Sequence, residues 1–155
     1  MEQAAMTLEI IALANTTDDA ATAWLPRAEA AHRQLRANLP PGHDAYRESL
    51  ARIFADGGQL CLATENNAVK GLALWRVAEN THPGRHLYVE DLVTDAACRS
   101  AGVGKALIHW LEDRARALSC AALTLDSGVA RKDAHRFYFR EGFHIPAFHF
   151  RKELA

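Results

Sequence analysis

The stretch Arg99-Ser100-Ala101-Gly102-Val103-Gly104-Lys105-Ala106 joins two segments of different rhythm. Before it, His86 to Thr94 reads as a strand. After it, Val103, Leu107, Trp110, Leu111 and Leu118 recur at helical spacing and predict a long amphipathic helix ending near Ser119. Glycines in such a turn let a ligand approach the main chain. The first turn of the helix adds unpaired N–H groups and about half a positive charge. Together these make a cradle for a diphosphate, with Arg99 and Lys105 adding charge at its rim. Two common nucleotide fingerprints do not fit. G-x-G-x-x-G would need glycine at Leu107. The P-loop would need glycine at Arg99 and Ser or Thr at Ala106.

Outward from this turn, the N-terminal half reads as a strand from Met6 to Leu13, then two helices. Asp18 and Asp19 are candidate caps for a helix beginning near Ala20, and Pro26 predicts a break or kink before Leu39. A second helix runs from about Asp44 to Ala55 and stops at Gly57-Gly58. Gln59 to Glu65 and Ala68 to Glu79 are strands joined at Asn66-Asn67, a hairpin signal. On the C-terminal side, Ala121 to Asp126 is a short apolar strand. Ala130 to Glu141 is a helix closed by Gly142, and Phe143 to Lys152 is a final strand marked by Pro146. The order βααβββαβαβ implies an α/β fold, a mixed sheet flanked by helices, in a single domain over 1–155.

Composition fits this reading. The chain has 155 residues, 18 Lys plus Arg against 19 Asp plus Glu, and 49% hydrophobic residues. It is long enough to bury a core without staples. The near-zero net charge argues against a strongly basic nucleic-acid binder. Cys61, Cys98 and Cys120 are odd in number and contain no C-x-x-C, so they read as buried apolar residues. Glu2 and Glu9 interrupt what would otherwise resemble a signal or a span, so a soluble cytoplasmic protein with no membrane association is expected. No H-E-x-x-H pair occurs, and no metal is expected. His86 is expected at the surface. Trp24, Trp75 and Trp110 are expected in or beside the core. A homodimer accords with the habit of soluble proteins, not with any particular residue.

The R-x-x-G-x-G turn resembles the acetyl-CoA pyrophosphate loop of the GCN5-related N-acetyltransferases (GNAT family). The resemblance runs from Tyr88 to Phe143. It takes in Glu90-Asp91-Leu92-Val93 ahead of the loop and Ala134-His135-Arg136-Phe137-Tyr138 with Gly142-Phe143, similar to the family's A-x-x-F-Y-x-x-x-G-F helix. It implies a splayed mixed sheet and acetyl transfer from acetyl-CoA to an amine. It also implies that the backbone of Arg99, Ser100, Ala101, Gly102, Val103, Gly104, Lys105 and Ala106 binds the cofactor, and that Leu92 and Val93 supply main-chain groups to the thioester. By the same resemblance Tyr138 protonates the leaving thiolate. A phenol with a pKa of about 10 holds its proton at neutral pH. Glu90 and Asp91 resemble the acidic pair of the branch that acetylates small amines and diamines. Adjacent strand residues face opposite sides, so a bulge is needed to bring both into one site. In the family an Asn often stands seven residues before the tyrosine and touches the pantetheine arm. This chain has Arg131 there. Asp126 and Ser127 are candidate substitutes, or Arg131 and Arg136 reach the nucleotide phosphate. The expected acceptor is a small primary amine, in a pocket built by the two N-terminal helices and the loop from Asn80 to Arg85. The rivals are a protein, peptide or antibiotic as acceptor, and an acyl-CoA sensor without turnover.

Overall fold

Asn66 and Asn67 both adopt left-handed backbone, with φ of 51° and 59°. Two such residues make the tight hairpin turn that matches strand twist. They join β2 (Gln59–Glu65) to β3 (Ala68–Glu79), and the antiparallel run continues into β4 (Arg85–Thr94). The computed structural model describes residues 7–155, so the expected strand start at Met6 lies outside the described residues. Two units are present, one ending at Thr124 and the other comprising Leu125–Ala155.

β1 (Glu9–Leu13) pairs with β2, and the strands lie in the order β1-β2-β3-β4-β5, with β5 at Ala122–Leu125, where the first unit ends. The connection from β4 to β5 runs through a helix, α3 (Val103–Ala117), as a crossover between parallel neighbours requires. α1 (Asp19–Leu35) and α2 (His43–Ala55) cover one face of the sheet. Leu25, Ala28, Tyr46 and Leu50 from these helices pack with Leu60, Leu62, Leu72, Leu74 and Val93 from the strands. Each fully buried leucine there contributes about 1.5–3 kcal/mol.

α3 covers the other face through Val103, Leu107, Ile108 and Leu111, and its Trp110 meets Trp75 edge-on at 6.0 Å. Its first turn comes close because β3 carries Gly71. A Cβ at Gly71 would stand 2.7 Å from Val103 Cγ1, 2.8 Å from the Val93 carbonyl oxygen and 3.3 Å from Leu107 Cδ1.

In the second unit, α4 (Lys132–Arg140) follows the expected closure. Gly142 has φ 89°, its N–H donates to Phe139 O, and the Phe143 N–H reaches back to Tyr138 O at 3.0 Å. The Phe143 ring packs on Tyr138 at 5.7 Å, the apolar contact that accompanies this closure.

Three expectations are corrected. Pro26 does not break α1, which is continuous from Asp19 to Leu35. Pro26 is exposed, so the Thr22 carbonyl that loses its donor also faces solvent, and Leu25, Ala28 and Ala31 still bury the inner stripe. The final strand from Phe143 to Lys152 does not form, and the order ends at α4. Phe143 gives its N–H to the helix closure, and Pro146 has none to give a ladder. Phe148 and Phe150 stay 82% and 90% exposed instead of alternating into a core. His86 is buried, its Nδ1 beside the Gly84 carbonyl oxygen at 2.8 Å.

Candidate active site

The register of β3 against β4 slips at one place. Leu74 faces Asp91 and Trp75 faces Val89, so Glu90 is the extra residue of a bulge. This is the device needed to bring two adjacent acids to one side. Arg76 belongs to the α1–α2 side of β3, and its guanidinium Nε donates to Glu90 Oε1. The same guanidinium donates to the carbonyl and carboxylate of Asp56 at the end of α2, at 2.8 and 3.1 Å. Asp91 points at α1. Its Oδ2 lies 2.7 Å from His32 Nε2, and its Oδ1 accepts from Arg36 Nε at 2.8 Å. Arg36 also donates to the Glu90 carbonyl at 3.2 Å. Glu90 and Asp91 therefore both meet cations on the α1–α2 side of the bulge.

Burial pushes the Asp91 carboxyl toward a higher pKa. The hydrogen bonds and charges of His32 and Arg36 outweigh it and hold the group below the usual carboxylate value. An ionised carboxylate has no proton to give, so His32 Nε2 must carry the shared one. In the neutral ring Nδ1 then accepts from the Tyr46 hydroxyl at 2.9 Å, which burial keeps protonated. A chain of contacts thus runs from α2 through α1 into the bulge.

After β4 the chain turns through a short 3₁₀ segment, Ala96–Cys98, to Gly102, the N-cap of α3. Gly102 has φ 85°, a left-handed conformation that disfavours any side chain, and open space surrounds the place its Cβ would take. No side chain caps this end. The first N–H groups of α3 are thus left for solvent or a ligand. Arg99, Ser100, Ala101 and Lys105 are exposed around it, and Val103 is buried beneath. The turn fits a diphosphate on these grounds: free donors, a positive helix end, two exposed cations and no Cβ in the way.

Tyr138 stands on α4, in the second unit. Burial raises its phenol pKa, and the nearby Arg131 charge only partly offsets this, so the hydroxyl keeps its proton at neutral pH. Arg131 is the N-cap residue of α4, and Arg136 is paired with Asp133 at 2.9 Å on the exposed side. Leu92 and Val93 follow the bulge directly on β4, with Val93 in the core.

Sequence reasoning missed His32, Arg36 and Gly71. Gly71 had a readable signal, an isolated glycine inside a strand pattern. His32 and Arg36 had none, because their partner Asp91 lies 59 and 55 residues away. A shallow cavity of about 270 Å³ over α2, lined by Thr16, Asp44, Arg47, Glu48 and Ala51, includes none of the candidate residues. Among the described residues no three His, Cys, Asp or Glu are placed to hold a metal, and no helix is long and apolar enough to cross a membrane.

The acetyltransferase (GNAT) family profile matches residues 21–143. An uncharacterized N-acetyltransferase of Bacillus subtilis (strain 168), YhdJ, is 48% identical over 93 residues. That stretch is 58% of this chain and spans 64% of the relative's length. The aminoalkylphosphonate N-acetyltransferase of Salmonella typhimurium is 30% identical over 114 residues, covering 72% of this chain and 74% of that protein. Among solved structures, the aminoglycoside N-acetyltransferase AAC(6′)-Iy in complex with CoA has a TM-score of 0.78 and 18% identity, with 99% of each chain covered. At that identity the likeness speaks for the fold alone.

Proposed function

Because the chain belongs to the acetyltransferase (GNAT) family, we propose that it transfers the acetyl group of acetyl-CoA to a primary amine of a small molecule by direct attack. The observation that carries this reading is the uncapped first turn of α3 behind Gly102. Its amides from Gly102 to Lys105 hold the diphosphate, with the Arg99 and Lys105 side chains at the rim; Ala106, expected to donate as well, already gives its N–H to the Gly102 carbonyl at 3.0 Å as the first bond of the helix. Arg131 departs from the family's Asn, and either Asp126 and Ser127 take over its contact or Arg131 and Arg136 serve the nucleotide phosphate.

The amine nitrogen attacks the thioester carbonyl carbon. The C–N bond forms, the C–S bond breaks, and the thiolate takes the proton of the Tyr138 hydroxyl. Main-chain groups at Leu92 and Val93 polarise the carbonyl oxygen as charge develops on it. The amine attacks in its neutral form and must give up one proton as the amide forms. His32 and Arg36 between them occupy both oxygens of Asp91, whereas Arg76 engages one oxygen of Glu90. Glu90 is therefore the base whose carboxylate receives the amine's proton, directly or through water, and Asp91 holds the bulge.

The small-molecule acceptor is supported by the acidic pair and by the aminoalkylphosphonate acetyltransferase among the relatives. A thiol-release assay with acetyl-CoA across aminoalkylphosphonates, polyamines, aminoglycosides and peptides tests it. Saturable turnover on a small amine is expected. Acetyl-CoA binding with turnover on no amine would replace the enzyme with a sensor, and saturation by peptides alone would overturn the acceptor class.

A further inference from the structure

The last turn of α1 grips the chain at two successive places. His32, 2% exposed, and Arg36 hold Asp91 and the Glu90 carbonyl at the bulge. Gln34 reaches the loop that follows. Its amide donates to Asp95 Oδ2 at 3.2 Å, and its carbonyl accepts the Ala96 N–H at 2.9 Å. Asp95 itself caps the 3₁₀ segment through the Ala97 N–H, and its own N–H donates to the Lys70 carbonyl. The segment between these grips, Leu92 to Thr94, includes Leu92 and Val93, the pair assigned to the thioester, and the segment beyond them leads to Gly102.

A bulge leaves its extra residue without a ladder partner. Glu90 is therefore fixed by side chains instead of by the sheet. β5 gives limited support at this point. The Ala121 N–H donates to the Arg85 carbonyl, so the four-residue β5 begins beside the start of β4. At about 3.3 Å per residue, a parallel strand of that length reaches about as far as the bulge and no further. The stretch of β4 beyond it has β3 on one edge and the α1 side chains over its face.

We propose that His32, Gln34 and Arg36 are positioning residues: one helix end that sets the β4 bulge and the entry to the α3 turn in a fixed relation. The inference rests on the functional reading above for its consequence, since a fixed relation between thioester-facing main chain and diphosphate cradle is what acyl transfer needs. Tyr46 extends the device, because its hydroxyl on the far side of His32 fixes the ring's tautomer as second partners do for ligating histidines.

The test compares Gln34→Ala, His32→Leu and His32→Gln with the wild-type chain. Two readouts are taken: amide hydrogen exchange of residues 90–96 without any ligand, and the split of kcat from the acetyl-CoA KM and Kd. Gln34 makes exposed bonds, so Gln34→Ala leaves the melting temperature nearly unchanged. It is expected to speed exchange at Asp95 and Ala96 and to raise the acetyl-CoA Kd several-fold. His32→Leu is expected to speed exchange across 90–93 and to lower kcat by about ten- to a hundredfold. His32→Gln, which keeps a donor for Asp91, recovers most of that loss. Exchange across 90–96 that stays at the wild-type rate in both Gln34→Ala and His32→Leu would overturn the clamp, even if melting temperatures fall. Faster local exchange in the variants, together with a wild-type chain that binds no acetyl-CoA, would leave the clamp standing and overturn the function instead.

Discussion

Gly71→Ala perturbs the site from a distance and separates packing from chemistry. The new Cβ would meet Val103 Cγ1 at 2.7 Å and the Val93 carbonyl oxygen at 2.8 Å. The valine methyl has some freedom to turn. The carbonyl belongs to the β4 backbone and does not. Overpacking of this kind costs about 1–3 kcal/mol, and the backbone contact puts this case in the upper half of the range. Removing a strand glycine returns about 0.5–1 kcal/mol. The net is about 1–2.5 kcal/mol of destabilisation, a fall in Tm of about 2–10 °C for a chain of this length. Relief comes from shifting the first turn of α3 off the sheet, the turn that carries the cradle. Acetyl-CoA affinity is therefore expected to fall by about tenfold or more. Thermal melts and calorimetric titration read the two effects. Adding Val103→Ala removes one of the two clashes, so the double variant is expected to lose less stability than the sum of the singles. Strict additivity together with an unchanged acetyl-CoA Kd would refute the idea that Gly71 seats the helix.

Further outcomes follow from the same geometry. Tyr138→Phe is expected to lower kcat about 10²–10⁴-fold with acetyl-CoA affinity intact, as read by steady-state kinetics and calorimetry; a kcat within a few-fold of wild type would remove the acid role. Gly102→Val puts a β-branched residue at φ 85° and is expected to abolish acetyl-CoA binding; an unchanged Kd would contradict the cradle. Asp91 has a folded pKa below its unfolded value of about 3.9, so its stabilisation is present above that value and is lost as pH falls below about 4. Chemical denaturation at several pH values is expected to show that loss in wild type and a flatter acid limb in Asp91→Asn. Equal slopes would mean that His32 and Arg36 do not hold the carboxylate ionised.

Much of this molecule is local, and the local parts were legible. Asn66-Asn67 dictates its turn without help from the rest of the chain. Gly142 closes α4 because the partners of its own N–H and of the Phe143 N–H, Phe139 and Tyr138, are three and five positions away. The R-x-x-G-x-G turn reads as a cradle because a helix start needs no distant partner to leave its amides open. What failed was decided by solvent and by distant chain. Pro26 looked like a break, yet its cost depends on whether the orphaned carbonyl faces water. Phe143 to Lys152 alternates like a strand, but alternation does not supply a neighbour to pair with. The acidic pair was legible as residue types but not as roles. Asp91 became a buried anchor because His32 and Arg36 come down on it from α1, and nothing in the local sequence of either segment announces the other.

Open main-chain amides at the start of α3 are the core of the functional reading, and a ¹⁵N-resolved titration of the wild-type chain with CoA observes them one by one. The largest shifts are expected at the amides of Gly102 to Lys105, lost in Gly102→Val. Saturable CoA binding that leaves those amides unmoved, or no binding at millimolar CoA, would contradict it.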